Sequence, residues 1–86
     1  MYSQKIIVEN EEGLHARPAA KFVQTGSKFQ SGITILKGQK KANAKSILQV
    51  MSLSITKGTE IIVCAEGPDE EQAVLTLIDL IKGNFN

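Results

Sequence analysis

Eighty-six residues, 42% of them apolar and 22% charged, suffice for one modest hydrophobic core and are too few for two. Ten basic and nine acidic residues leave a formal charge of +1, which excludes bulk electrostatic attraction to nucleic acid. The single cysteine excludes an internal disulfide, no Cys/His spacing suits zinc, and no stretch approaches the ~18 apolar residues of a membrane span.

Met1 leads directly into a strand-like segment without a signal peptide's apolar centre, so the cytoplasm is the expected compartment. Gln4 to Val8 alternates polar and apolar, which places Ile6 and Val8 on one face of a strand. The spacing of Ala19, Phe22 and Val23 predicts a helix over Ala16–Lys28 with an apolar stripe. Pro18 fits its first turn, where N–H groups have no intrahelical partner. Ile33–Lys37 reads as a second strand with Ile33 and Ile35 inward, and Lys37-Gly38-Gln39-Lys40 as a turn into a third at Lys40–Asn43.

Ser46 starts a short second helix carrying Ile47, Val50, Met51 and Leu53. Ser46 and Gln49 match the capping box, in which hydroxyl and amide side chains satisfy each other's free backbone donors. Lys57-Gly58 breaks the chain before the strand Glu60–Glu66, with Ile61, Val63 and Ala65 on one side and Ile62 and Cys64 on the other. Asp69 is placed to cap the last helix, whose positive end suits Glu70 and Glu71. Ala73, Val74, Leu77, Ile78 and Ile81 form its buried stripe, and Gly83 ends it. The order β-α-β-β-α-β-α predicts one α+β domain over residues 1–86, four strands with three helices on one face. Cys64 reads as a packing residue. The lysines at 37, 40, 41 and 45 read as a solvated hairpin, with a docking patch as the alternative.

The chemistry concentrates in Gly13-Leu14-His15-Ala16-Arg17-Pro18-Ala19-Ala20-Lys21, which holds the only histidine. A helix start offers unpaired N–H groups and partial positive charge, a seat for phosphate. Histidine carries a proton or a labile group near neutral pH, and Arg17 adds a planar fork of donors matched to phosphate oxygens. The combination suggests a phosphorylatable imidazole, with the N–H groups at Ala16 and Arg17 holding the phosphoryl oxygens. No acid/base pair, nucleophile–base constellation, metal site or nucleotide loop suggests a free-standing enzyme.

The run Gly13–Ala20 resembles the active-site motif of HPr, the histidine-containing phosphocarrier family of the bacterial phosphoenolpyruvate:sugar phosphotransferase system. Asn43-Ala44-Lys45-Ser46-Ile47, followed by Met51-Ser52-Leu53, resembles that family's regulatory serine region in its Gram-positive form. The resemblance implies an open-faced β-sandwich, an antiparallel four-stranded sheet covered by three helices. It implies that His15 accepts a phosphoryl group on Nδ1 from phosphorylated Enzyme I and passes it to the IIA components of sugar permeases. It further implies that HPr kinase/phosphorylase modifies Ser46 using ATP, and that the product binds the catabolite control repressor. Ile47, Leu48, Gln49 and Met51 would contribute to the surface that meets these partners. A monomer with no cofactor and no membrane insertion is expected.

Phosphate on Ser46 would place about −1.5 to −2 charges against a positive helix end beside Lys45, so the effect is expected on docking rather than on structure. Three positions depart from the family pattern. Glu12 stands where a small hydroxyl or amide is more frequent, and its carboxylate opposes a phosphoryl group on His15. Gln49 replaces a glycine, and Leu48 a methionine. Two other readings stay open: a regulatory paralogue acting mainly through Ser46, and an interaction module of ferredoxin-like type without phosphotransfer.

Overall fold

The computed structural model describes residues 1–83 and 85. Its elements are β1 (Tyr2–Ile7), α1 (Ala16–Gly26), β2 (Gly32–Lys37), β3 (Lys40–Asn43), α2 (Ile47–Ser52), β4 (Glu60–Glu66) and α3 (Glu70–Lys82). The expected order β-α-β-β-α-β-α is therefore observed. All strand pairs are antiparallel, and the sheet order is β1-β4-β2-β3.

Strand alternation sorts the residues of this sheet between two environments. Val63 at the centre of β4 lies between Gln4 of β1 and Ile35 of β2, and these positions face the helices. Ile33, Ile35, Ile61, Val63 and Ala65 are buried against Phe22 of α1, Val50 of α2, and Val74, Leu77 and Ile81 of α3. The neighbouring row, Lys5, Ile62, Leu36 and Lys41, lies on the open face. Ile62 and Cys64 are only half-buried there. Burial pushes the Cys64 thiol up, against a smaller opposing effect of its hydrogen bond with Ser3. A packing role fits that environment better than a nucleophilic one.

Three local expectations are corrected. Helix α1 ends at Gly26 rather than Lys28, and its chain unwinds through the bonds Ser27 N–H to Val23 O, Lys28 N–H to Thr25 O and Phe29 N–H to Gly26 O. Gly26 sits where α1 passes the Ala44 carbonyl.

Asp69 occupies the cap position of α3 but makes no side-chain cap bond. Its carboxylate instead accepts from Gln30 N–H (3.0 Å), Ser31 N–H (2.9 Å) and the Ser31 hydroxyl, joining the α1–β2 turn to the start of α3. Glu70 Oε1 serves the local role, accepting from Gly67 N–H at 3.1 Å. Gly67, at φ +150, allows the close approach, since a Cβ there would lie 2.7 Å from Ser31.

The capping box of α2 is only half made. Ser46 Oγ accepts from Gln49 N–H at 3.3 Å. The Ser46 N–H, however, is taken by Asn43 O at 3.0 Å, so the Gln49 side chain accepts from Asn43 N–H at 2.9 Å. The glutamine thereby ties α2 to the end of β3.

Candidate functional site

The loop before α1 is held from behind. Val8 N–H donates to Thr59 O (2.9 Å), Gly58 N–H to Val8 O (2.6 Å) and Leu14 N–H to Ile55 O (3.0 Å). Within the loop, Gly13 N–H donates to Asn10 O (3.1 Å) and Asn10 Nδ2 to Gly13 O (2.9 Å). Leu14 and Ile55 are buried, anchoring both segments in the core. Gly13, at φ +62, lies so close to this second loop that a Cβ would stand 2.2 Å from the Ile55 carbonyl oxygen. An exposed ion pair, Glu11 with Lys57 at 2.8 Å, spans the same two loops. Its hydrogen bond and opposite charge hold the Glu11 carboxyl below its ordinary range and the Lys57 ammonium above its own.

This clamp ends at His15, which is exposed and extended at φ −136, ψ 155, in the cap position of α1. Its side chain makes no capping bond, and among the described residues the imidazole has no hydrogen-bond partner. The next residue, Ala16, has φ +53, a left-handed conformation costing about 1–2 kcal/mol for an L-residue with a Cβ. The strain is stored at the single residue joining the histidine to its helix. The N–H groups of Ala16 and Arg17 belong to a first helical turn and make no backbone bond outside α1 among the described residues. Arg17 is exposed and, among the described residues, in no ion pair. A nucleophilic ring, free backbone donors and an uncommitted guanidinium thus adjoin one another at a helix start, an arrangement suited to an anion that arrives and leaves. Pro18 and Ala19 are buried beneath them.

Helix α2 packs against α1. Its C-terminal side runs into Ile55, next to Leu14, while Ala44 before its start adjoins Gly26 at the far end of α1. Ser46 and His15 therefore lie at opposite ends of α1, whose eleven residues span about 16 Å. Between the two ends α2 exposes Leu48 (79%) and Ile47 (39%), with Met51 half-buried and Gln49 on the surface. Val50 and Leu53 are core residues.

The lysine cluster divides. Lys37 Nζ donates to the Leu53 and Ser54 carbonyls (2.8 and 3.0 Å), closing the C-terminal end of α2. Lys45 Nζ donates to Phe29 O at 2.8 Å, in the exit turn of α1. Only Lys40 and Lys41 are exposed as a solvated hairpin would have them. Sequence reasoning also missed the support given by Leu14 and Ile55. The glycine immediately before an isolated leucine was the available signal for Leu14, and Ile55 had none. A surface hollow of about 580 Å³ lined by Lys5, Ile6, Ile7, Glu9, Glu60, Ile81 and Lys82 includes neither His15 nor Arg17.

An exposed histidine at a helix start, on this strand order, agrees with what comparison finds. The family described as "PTS HPr component phosphorylation site" matches residues 2–83. The chain belongs to the HPr family. It is 44% identical over 81 residues to the phosphocarrier protein HPr of Haemophilus influenzae, covering 94% of this chain and 95% of that one. It is 47% identical over 74 residues to the HPr-like protein Crh of Bacillus subtilis, covering 86% and 87%. The solved structure of HPr-C-His from Thermoanaerobacter tengcongensis superposes with a TM-score of 0.97 at 52% identity, covering 99% and 96%. HPr proteins relay phosphoryl groups through a histidine and are carriers rather than catalysts, with regulatory serine phosphorylation in the HPr and Crh family. No helix among the described residues is long and apolar enough to cross a membrane.

Proposed function

We propose that His15 is the phosphoryl-bearing residue of this carrier, on the strength of one observation above the others: an exposed imidazole, without a partner among the described residues, at the mouth of α1. An imidazole nitrogen forms the new N–P bond as the bond from phosphorus to phosphorylated Enzyme I breaks. The N–H groups of Ala16 and Arg17, with the Arg17 guanidinium, hold the three phosphoryl oxygens while charge passes between partners. The same sequence, run toward a IIA component of a sugar permease, returns the imidazole to its starting state. The setting of such a relay is the cytoplasm, and the chain acts as one domain over residues 1–86.

Ile47, Leu48, Gln49 and Met51 form the contact surface beside this site. A large apolar side chain as exposed as Leu48 favours that role. Ser46, at the far end of α1, takes a phosphoryl group from ATP through HPr kinase/phosphorylase: its oxygen bonds to phosphorus, ADP leaves, and the hydroxyl proton is lost. Dianionic charge there repels an acidic Enzyme I face and attracts a basic face of the catabolite control repressor.

The deciding experiment incubates the protein with phosphoenolpyruvate and Enzyme I and assays acid-labile phosphate. The wild type is expected to label stoichiometrically and His15→Ala not at all, with an unchanged melting temperature. An unlabelled wild type beside a competent donor overturns the carrier role. The 47% identity to Crh favours a second reading, a regulatory paralogue working mainly through Ser46. That reading gains if ATP and the kinase label Ser46 while His15 stays unlabelled.

A further inference from the structure

Lys45 precedes the serine assigned above to regulation, yet its ammonium is directed elsewhere. Nζ donates at 2.8 Å to the carbonyl of Phe29, the last residue of the turn in which α1 unwinds through Ser27, Lys28 and Phe29. This bond brings a cation to the C-terminal end of α1, where the helix dipole favours one. The backbone on the other side is fixed: Lys45 N–H donates to Asn43 Oδ1 (2.9 Å) and Ser46 N–H to Asn43 O (3.0 Å). The half-buried lysine side chain is therefore the part free to move.

We infer that Lys45 is a releasable strap between the exit turn of α1 and the Ser46 segment, and that a phosphate on Ser46 takes its ammonium from the Phe29 carbonyl. The inference rests on Ser46 being a phosphorylation site. A neutral carbonyl then competes with a dianion one residue away for the same three donors, and bonds between two ionised groups are the shorter and stronger kind. The freed Phe29 carbonyl turns to water, and the Ser27–Phe29 turn loses its tie to the Ser46 segment. The Ser46-phosphorylated form would differ from the unmodified protein at two neighbouring places, a phosphate–lysine pair and a loosened turn. His15, at the other end of α1, keeps its loop.

Amide hydrogen exchange on the full-length, isotope-labelled protein tests this. Phosphorylation of Ser46 by the kinase and ATP should speed exchange at Lys28 and Phe29 roughly two- to fivefold, the loss expected for one helix-end cation. Lys45→Met, which keeps the apolar stem, should already exchange at the faster rate, with phosphorylation adding nothing further. Unchanged exchange in the phosphorylated wild type overturns the strap. So does an equal increase on phosphorylating Lys45→Met. If the kinase leaves Ser46 unmodified, the regulatory reading of Ser46 fails, and Ser46→Asp then tests the strap alone. Faster exchange in Ser46→Asp only when Lys45 is present supports it, and no difference overturns it.

Discussion

The starts of α1 and α3 solve the same geometric problem in opposite ways. At α3, Asp69 gathers two N–H groups and the hydroxyl of the buried Ser31, and Glu70 takes Gly67 N–H. The corner is sealed. At α1 the imidazole is left open, Arg17 is in no ion pair among the described residues, and Ala16 is held in a costly backbone conformation. Polar groups that find partners within the fold stabilise it; groups left without them remain available to an incoming ligand. The open corner keeps its shape because Leu14, Gly13 and Asn10 fix it from behind.

Gly13→Ala breaks this contrast most severely. The new methyl group meets the Ile55 carbonyl in a left-handed backbone, with an expected loss of about 2–4 kcal/mol in urea unfolding and slower phosphotransfer. Arg17→Ala sharpens it from the other side. Transfer from phosphorylated Enzyme I should slow by roughly tenfold or more, while stability stays within about 0.5 kcal/mol. Equal transfer rates for variant and wild type would remove Arg17 from the site.

At the sealed corner, the bonds from the Ser31 hydroxyl and then from Gln30 N–H hold the Asp69 carboxyl below the ordinary aspartate range. A carboxyl depressed in the folded state contributes stability above its unfolded pKa, and that contribution is lost as pH falls through the folded one. Urea midpoints of the wild type should therefore fall on acidification through and below the ordinary aspartate range. Asp69→Asn should be less stable at neutral pH and show a shallower acid slope. The smallest expected effect is that of Ser46→Ala, which deletes the cap bond to Gln49 N–H. Unfolding should be easier by about 0.5–1 kcal/mol, with labelling of His15 unaffected.

The alternation of Ile61, Val63 and Ala65, the stripe from Ala73 to Ile81 and the glycine at 83 fixed element types and faces without help, because period and chain punctuation are local properties. The motif around His15 was equally visible, since it occupies consecutive residues. Polar side chains behaved otherwise. Asp69, Gln49, Lys37 and Lys45 each read as a local cap or a solvated charge, and each bonds a backbone group outside its own segment. A side chain takes the best partner within reach in three dimensions, and its chain neighbours are only some of the competitors.

By itself the sequence therefore determined the order and inward faces of the elements, and which residues bring phosphate chemistry to a helix start. Only the tertiary structure decided that His15 and Ser46 stand toward opposite ends of α1, that Ala16 carries the strain, and that Lys37 and Lys45 act as fasteners. The physical reason is reach. Backbone propensity and hydrophobic period act over one or two turns, whereas hydrogen bonds between separate elements exist only after the core has brought those elements together.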